Sequence, residues 1–284
     1  MSWSFKKFDV LPEGKFLLWE KLLELRTGIQ LAPQQKILLQ TQIAIRMREL
    51  NISSYDEYYE QVKRNDKSGL VEWQVLVDRL VVKETTFFRH RPSLEYVRQH
   101  LKNTISQRDA EDSFDIWSVG CSTGEEPYGL AMIANDCMEE SQERFYFGVT
   151  AIDVSLPALS VARRGIYKKR SMSFLTDVER EKYFLKQSDG QFEVVSQLKK
   201  RVCFSQANIN SLSVAPIQKM DVIYCQNVLI YFRRWRRREI LNQLVERLKL
   251  GGLLIIGLGE TTDWRHLEVQ RVDNDEVQAY IKSV

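Results

Sequence analysis

The chain has 284 residues, with 41 Lys and Arg against 38 Asp and Glu, and its formal net charge of +3 is too small a bias to serve bulk nucleic-acid or membrane-surface binding. Four cysteines without a C-x-x-C pair and only three histidines support neither a zinc site nor a disulfide framework, so no metal is expected. Met1–Lys7 lacks the apolar core of a signal peptide and no apolar run approaches the ~20 residues of a membrane span, which points to a cytoplasmic protein without membrane insertion.

The length suits one large or two unequal domains. From Phe16 to about Leu101 the apolar residues recur at helical spacing, as in Leu22, Leu23 and Leu25 and then Ile37, Leu38, Leu39, Ile43, Ile45 and Met47. Leu50-Asn-Ile-Ser-Ser54 supplies a stop and a new N-cap before Tyr55, so several short antiparallel helices are expected. The polar stretch Gln107–Ser113 reads as a linker, after which the period changes. Strands are expected at Ile116–Val119, Tyr146–Ile152, Val202–Ser205, Val222–Cys225 and Leu253–Ile256, with helical patterns between several of them. That alternation predicts an α/β fold, a doubly wound parallel sheet with crossover helices. Between Tyr167 and Phe204 the rhythm breaks. Gln187-Ser-Asp-Gly190 is a turn, Gln191–Val195 partly alternates and Lys199–Phe204 follows, which predicts a small antiparallel β insertion. The expected domains are therefore residues 1–107, all helical, and 108–284, α/β, with the insertion over 168–205.

Three places on the expected sheet suit a nucleotide-like ligand. Gly120-Cys-Ser-Thr-Gly124 joins a strand to a helix opened by Pro127, and such a turn either cradles a cofactor or is an ordinary tight connection. Asp153 ends the second strand, where an acid can accept bonds from both ribose hydroxyls or can cap the helix beginning near Pro157. Asn227 stands where a later strand releases the chain, followed by the apolar segment ending in Tyr231; taken singly they read equally as a helix cap and a core aromatic. Ligands in open sheets lie beyond the carboxyl ends of the strands, so Gly120, Asp153 and Asn227 should converge.

The ordered set Glu84-Thr-Thr-Phe-Phe-Arg89, Gly120-Cys-Ser-Thr-Gly-Glu-Glu-Pro-Tyr128, Ala151-Ile-Asp153 with Ala162-Arg-Arg-Gly-Ile-Tyr167, Cys225-Gln-Asn-Val-Leu-Ile-Tyr-Phe232 and Gly251-Gly-Leu-Leu254 resembles the chemotaxis receptor (protein-glutamate) O-methyltransferase family. The match covers nearly the whole chain. The resemblance implies an all-helical N-terminal domain for receptor recognition, a methyltransferase sheet that binds S-adenosylmethionine, released as S-adenosylhomocysteine, and a small antiparallel subdomain. It also implies that the substrate is glutamate on the cytoplasmic helices of methyl-accepting chemoreceptors, and a monomer is expected. A glutamate carboxylate is ionised near neutral pH, so its attack on a methyl group needs alignment and loss of water rather than a general base, in keeping with the absence of a catalytic His or acid dyad.

Carried over by position, Thr85 and Arg89 fall where the family closes over the cofactor, Arg89 and Tyr231 beside the transferred methyl as the catalytic pair, Glu126 on a cofactor-contacting acid, Asp153 on the ribose binder, and Asn208 with Ile209 on the pair flanking adenine. Gln226 and Asn227 complete the expected cofactor set, and Glu125 is the neighbouring alternative to Glu126. An alternative reading for Arg89 is a surface ion pair. Three departures stand out: Lys83 where asparagine is common, Gln226 where arginine is usual, and Gln42 and Ile45 where the recognition helix commonly carries arginines, which leaves Arg46 and Arg48. The basic run Arg233-Arg-Trp-Arg-Arg-Arg238 opens a helix with apolar Ile240, Leu241, Leu244, Val245 and Leu248, so it reads as a solvated face rather than a phosphate-binding patch. The competing class of function is a non-catalytic module of the same fold that senses S-adenosylmethionine or docks on receptors, suggested by Lys83 and Gln226.

Overall fold

The computed structural model describes residues 11–31, 35–80, 84–105, 113–141, 145–214 and 218–283. Lys83 and most of the Gln107–Ser113 linker lie outside the described residues. The chain divides into two compact units, Met1–Val82 and Lys83–Val284.

The first unit is helical: α1 (Glu13–Thr27), α2 (Gln35–Glu49), α3 (Tyr55–Lys63) and α4 (Lys67–Leu80). Left-handed Asn51 follows the last turn of α2, and Ser54 caps α3 by accepting the Glu57 N–H, as the Leu50–Ser54 pattern predicts. Leu39, Ile43 and Met47 form the buried stripe of α2. Beside it lies a polar cluster in which the Glu72 carboxylate, 4% exposed, accepts the Tyr58 hydroxyl at 2.7 Å and two N–H bonds from Arg46, each 2.7 Å.

The second unit opens with α5 (Arg91–Ile105) and alternates through β1 (Ser113–Val119), α6 (Glu125–Ser141), β2 (Tyr146–Asp153), α7 (Leu156–Arg164), β3 (Ile166–Tyr167), α8 (Asp177–Tyr183), β4 (Phe184–Lys186), β5 (Phe192–Val194), α9 (Ser196–Lys199), β6 (Val202–Gln206), β7 (Met220–Cys225), α10 (Arg234–Glu246), β8 (Leu248–Ile256), β9 (Val269–Arg271) and β10 (Gln278–Lys282). The large sheet runs β6-β2-β1-β7-β8-β10-β9. Its first five strands are parallel, whereas β10 pairs antiparallel with both β8 and β9. Ile116 sits between Val149 and Val222 in register, and all three are buried, as central strands covered on both faces require.

Two expectations need correction. The boundary at 107 placed α5 with the N-terminal helices, but Leu94, Val97 and Leu101 pack in one core with Leu130, Ile133 and Ala134 of α6, and Arg98 reaches Asp136 at 3.1 Å. Helical periodicity shows which face is buried and not against which core. The insertion over 168–205 was drawn too far: its sheet is β3-β5-β4, while Val202–Gln206 pairs parallel with β2 as an edge of the main sheet. Short β9 and β10 carried no pattern strong enough to be read in advance.

Candidate functional site

Chain order along the sheet reverses between β1 and β7, so the crevice expected for a ligand lies over their carboxyl ends. The loop after β1 is shaped by three left-handed residues, Gly120, Ser122 and Gly124. A Cβ on Gly120 would come within 2.5 Å of the Val228 side chain, so this glycine lets the loops after β1 and β7 meet. A Cβ on Gly124 would meet Ala162 and the Tyr167 hydroxyl, both at 2.8 Å, and that hydroxyl donates to the Thr123 carbonyl. The Ala162-to-Tyr167 segment therefore supports the glycine loop. Cys121 is buried with Ala151 and Leu159, and burial pushes its thiol well up, which leaves it unreactive.

Asp153 closes the far side of the loop. Its Oδ2 accepts the Ser122 N–H at 2.7 Å and its Oδ1 the Ser155 N–H at 2.9 Å. The cap of α7 is the Ser155 hydroxyl, which accepts from Ala158, so the capping alternative for Asp153 does not hold. Beyond β6, Asn208 accepts the Asn210 N–H at 2.9 Å through its side chain, and Ile209 is buried.

Glu125 and Glu126 part company at the start of α6. Glu125 is buried and accepts the Thr123 hydroxyl at 2.6 Å, with Ser171 as a further partner. Half-buried Glu126 accepts the Ser118 hydroxyl at 2.7 Å and feels the charges of Glu260, Arg89 and Asp153. Burial, partly offset by the Ser118 hydrogen bond and reinforced by the charge of Glu260, pushes its carboxyl up to about 8.

The Thr85-to-Arg89 segment shows how a short aromatic run aims a cation. Thr85 is half-buried outside any helix or strand; Phe87 is fully buried against Tyr167 and Phe184, ring centroids 4.9 and 5.0 Å away. Phe88 then adopts φ +56°, a strained value for an aromatic residue, and packs into the core. Arg89 is consequently turned outward, donating to the Glu84 carbonyl at 3.1 Å. Tyr231, half-buried at the end of a 3₁₀ turn over Leu229–Tyr231, senses the charges of Arg89, Glu260 and Glu84, and burial raises its phenol. Exposed Asn227 precedes that turn with φ +59° and does not cap it.

The Gln226 side chain is engaged within the protein. Its Nε2 donates to the Ser93 hydroxyl at 2.8 Å and the Ile256 carbonyl at 3.3 Å, and its Oε1 accepts the Tyr224 hydroxyl at 2.8 Å. Its side chain is thus spent on tying β7 and β8 to α5. Missed altogether was Glu260, 1% exposed, which accepts backbone N–H groups of the Tyr231 turn. A lone acid in a loop carries no sequence signal of such a role.

Among the described residues, the buried Ser122 Oγ and Asn210 Oδ1 have no hydrogen-bond partner, and they follow the ends of β1 and β6 on either side of β2. Orphaned polar atoms flanking the acid that ends β2 fit a ligand with polar groups of its own. Fold and crevice together define a doubly wound domain built for such a ligand.

Residues 83–277 match the family described as CheR methyltransferase, SAM binding domain, and residues 15–81 match CheR methyltransferase, all-alpha domain. The chain is 31% identical to the chemotaxis protein methyltransferase of Escherichia coli strain K12, over 91% of this chain and 87% of that one. It is 30% identical to the chemotaxis protein methyltransferase of Borreliella burgdorferi, over 82% and 83%. The similarity to chemotaxis protein methyltransferase 1 of Pseudomonas aeruginosa is also 30%, over 86% and 89%. The chain belongs to the CheR methyltransferase family and is an S-adenosylmethionine-dependent methyltransferase.

Proposed function

We propose that the protein is a protein-glutamate O-methyltransferase acting on glutamate side chains of the cytoplasmic helices of chemoreceptors. The observation that supports this most is the meeting, at one crevice, of the Asp153-braced glycine loop with an arginine and a tyrosine. S-adenosylmethionine supplies a sulfonium-bound methyl group there. Asp153 holds the ribose, Glu126 faces the cationic part, Asn208 and Ile209 flank adenine, and Thr85 and Asn227 line the remaining sides. Arg89, through its paired N–H donors, holds the substrate carboxylate, and the Tyr231 hydroxyl orients the attacking oxygen.

The relatives' names as chemotaxis methyltransferases favour receptor substrates over small molecules or RNA. Chemoreceptor membranes incubated with methyl-labelled S-adenosylmethionine and this protein should yield base-labile label released as methanol. Cofactor binding without such release would favour the sensing or docking module instead.

A further inference from the structure

The turn carrying Tyr231 is gripped at both ends. At its start, the Glu260 carboxylate accepts the Ile230 N–H at 3.4 Å, with the Val228 and Leu229 N–H groups as further donors, while its other oxygen accepts the Gly257 N–H at 2.7 Å. At its end, Arg237 of α10 donates from Nε to the Phe232 carbonyl at 2.8 Å, from Nη2 to the Ile230 carbonyl at 3.3 Å and from Nη1 to the Glu260 carbonyl at 2.9 Å. A Cβ on Gly257 would press within 2.7 Å of the Glu260 carboxylate, so the approach is built into the backbone. A 3₁₀ turn leaves its first N–H groups and last carbonyls unpaired. Here an anion meets the first and a cation the last, matching the turn's dipole.

The arrangement is costly. Burial raises the Glu260 carboxyl against the pull of the amides it accepts, and its charge adds to the burial that raises Glu126. A neutral amide offers one acceptor oxygen where the Ile230 and Gly257 N–H groups occupy two, and features that cost stability concentrate where geometry matters for activity.

We propose that Glu260 and Arg237 are positioning residues for methyl transfer, clamping the Val228–Phe232 turn so that the Tyr231 hydroxyl stands at the reacting carboxylate. The assignment rests on the role given to Tyr231 above. It also places Arg237, part of a basic run, inside the catalytic frame rather than on a solvated face.

The test uses the full chain with Glu260→Gln and Arg237→Lys, alone and combined with Tyr231→Phe. Each single variant should lower kcat at least ~10-fold while the Kd for S-adenosylhomocysteine moves less than ~3-fold. In the Tyr231→Phe background neither should lower kcat further by more than ~2-fold, because the clamp acts through that hydroxyl. Amide hydrogen exchange over residues 228–231 should quicken in Glu260→Gln. Additive losses of kcat, or unchanged kcat in both single variants, would overturn the proposal, and Arg237→Lys carries the test alone if Glu260→Gln does not fold. Should the wild-type protein methylate no receptor glutamate, the functional reading falls by itself. The exchange measurement still judges the clamp then, and unaltered exchange in Glu260→Gln rejects it.

Discussion

Glu126 carries the clearest pH signature among single residues. Its carboxyl titrates near 8 in the fold against 4.5 ordinarily, chiefly through burial, and burial also raises Glu125 and Glu260. A folded value above the unfolded one means that the native state holds a proton the unfolded chain has released. The contribution to stability is therefore full below about pH 4.5 and is lost as pH rises through about 8. Glu126→Gln should flatten the fall in thermal midpoint between pH 5 and 8.5, and an unchanged slope would point to Glu125 and Glu260 as its source. Asp153→Ala removes an acceptor whose charge-assisted bonds are worth roughly 1.5–3 kcal/mol each, so calorimetry should show cofactor affinity weakened at least ~10-fold. Affinity unchanged in a folded variant would remove Asp153 from the site. Arg89→Ala and Tyr231→Phe should instead slow methyl transfer far more than they weaken cofactor binding; full turnover in both would refute the assigned roles.

At the scale of elements, α2 separates two arginines that the sequence leaves equivalent. Arg46 and Arg48 diverge by about 200° on a helix, so one alone can face a partner squarely. Arg46 turns to the buried Glu72 and to Glu49, which also accepts Arg79, and its guanidinium is held charged by those bonds. Arg48 is exposed. Arg46→Glu should destabilise the helical unit by about 3–5 kcal/mol, since it leaves Glu72 buried beside a second acid. Arg48→Glu should leave the fold intact and is the variant whose receptor methylation reports recognition, with a loss that deepens as salt is lowered. Normal methylation by folded Arg48→Glu at low and high salt would move recognition off this helix. The arginine-rich start of α10 divides in a similar way: Arg234 and Arg238 both pair with Asp263, Arg236 pairs with Glu239, and Arg237 bonds three carbonyls of its own unit. These pairings leave little of the run for phosphate.

On the scale of the whole molecule, every residue assigned to cofactor or chemistry falls within the Lys83–Val284 unit. A fragment of residues 83–284 should accordingly bind S-adenosylhomocysteine within ~3-fold of the full chain in calorimetry, while losing methylation of receptors. Much weaker binding by a folded fragment would show that the helical unit contributes to the cofactor site. The order of helices and strands through β8, the glycine turn, the acid ending β2 and the Asn227-to-Tyr231 segment were legible because each depends on local chemistry: a period of 3.6 or 2, a left-handed turn, a polar residue at a strand end. Assignment of α5 to one core, the place of Val202–Gln206 in the large sheet, the inward turn of Arg46 and Gln226, and the separate hydrogen-bond partners of Glu125 and Glu126 were decided only by tertiary structure. Each depends on which partner distant in sequence lies within a few ångströms. Glu260, nearly thirty residues beyond the turn it braces, is the extreme case, since its role exists only once β7 and β8 lie side by side.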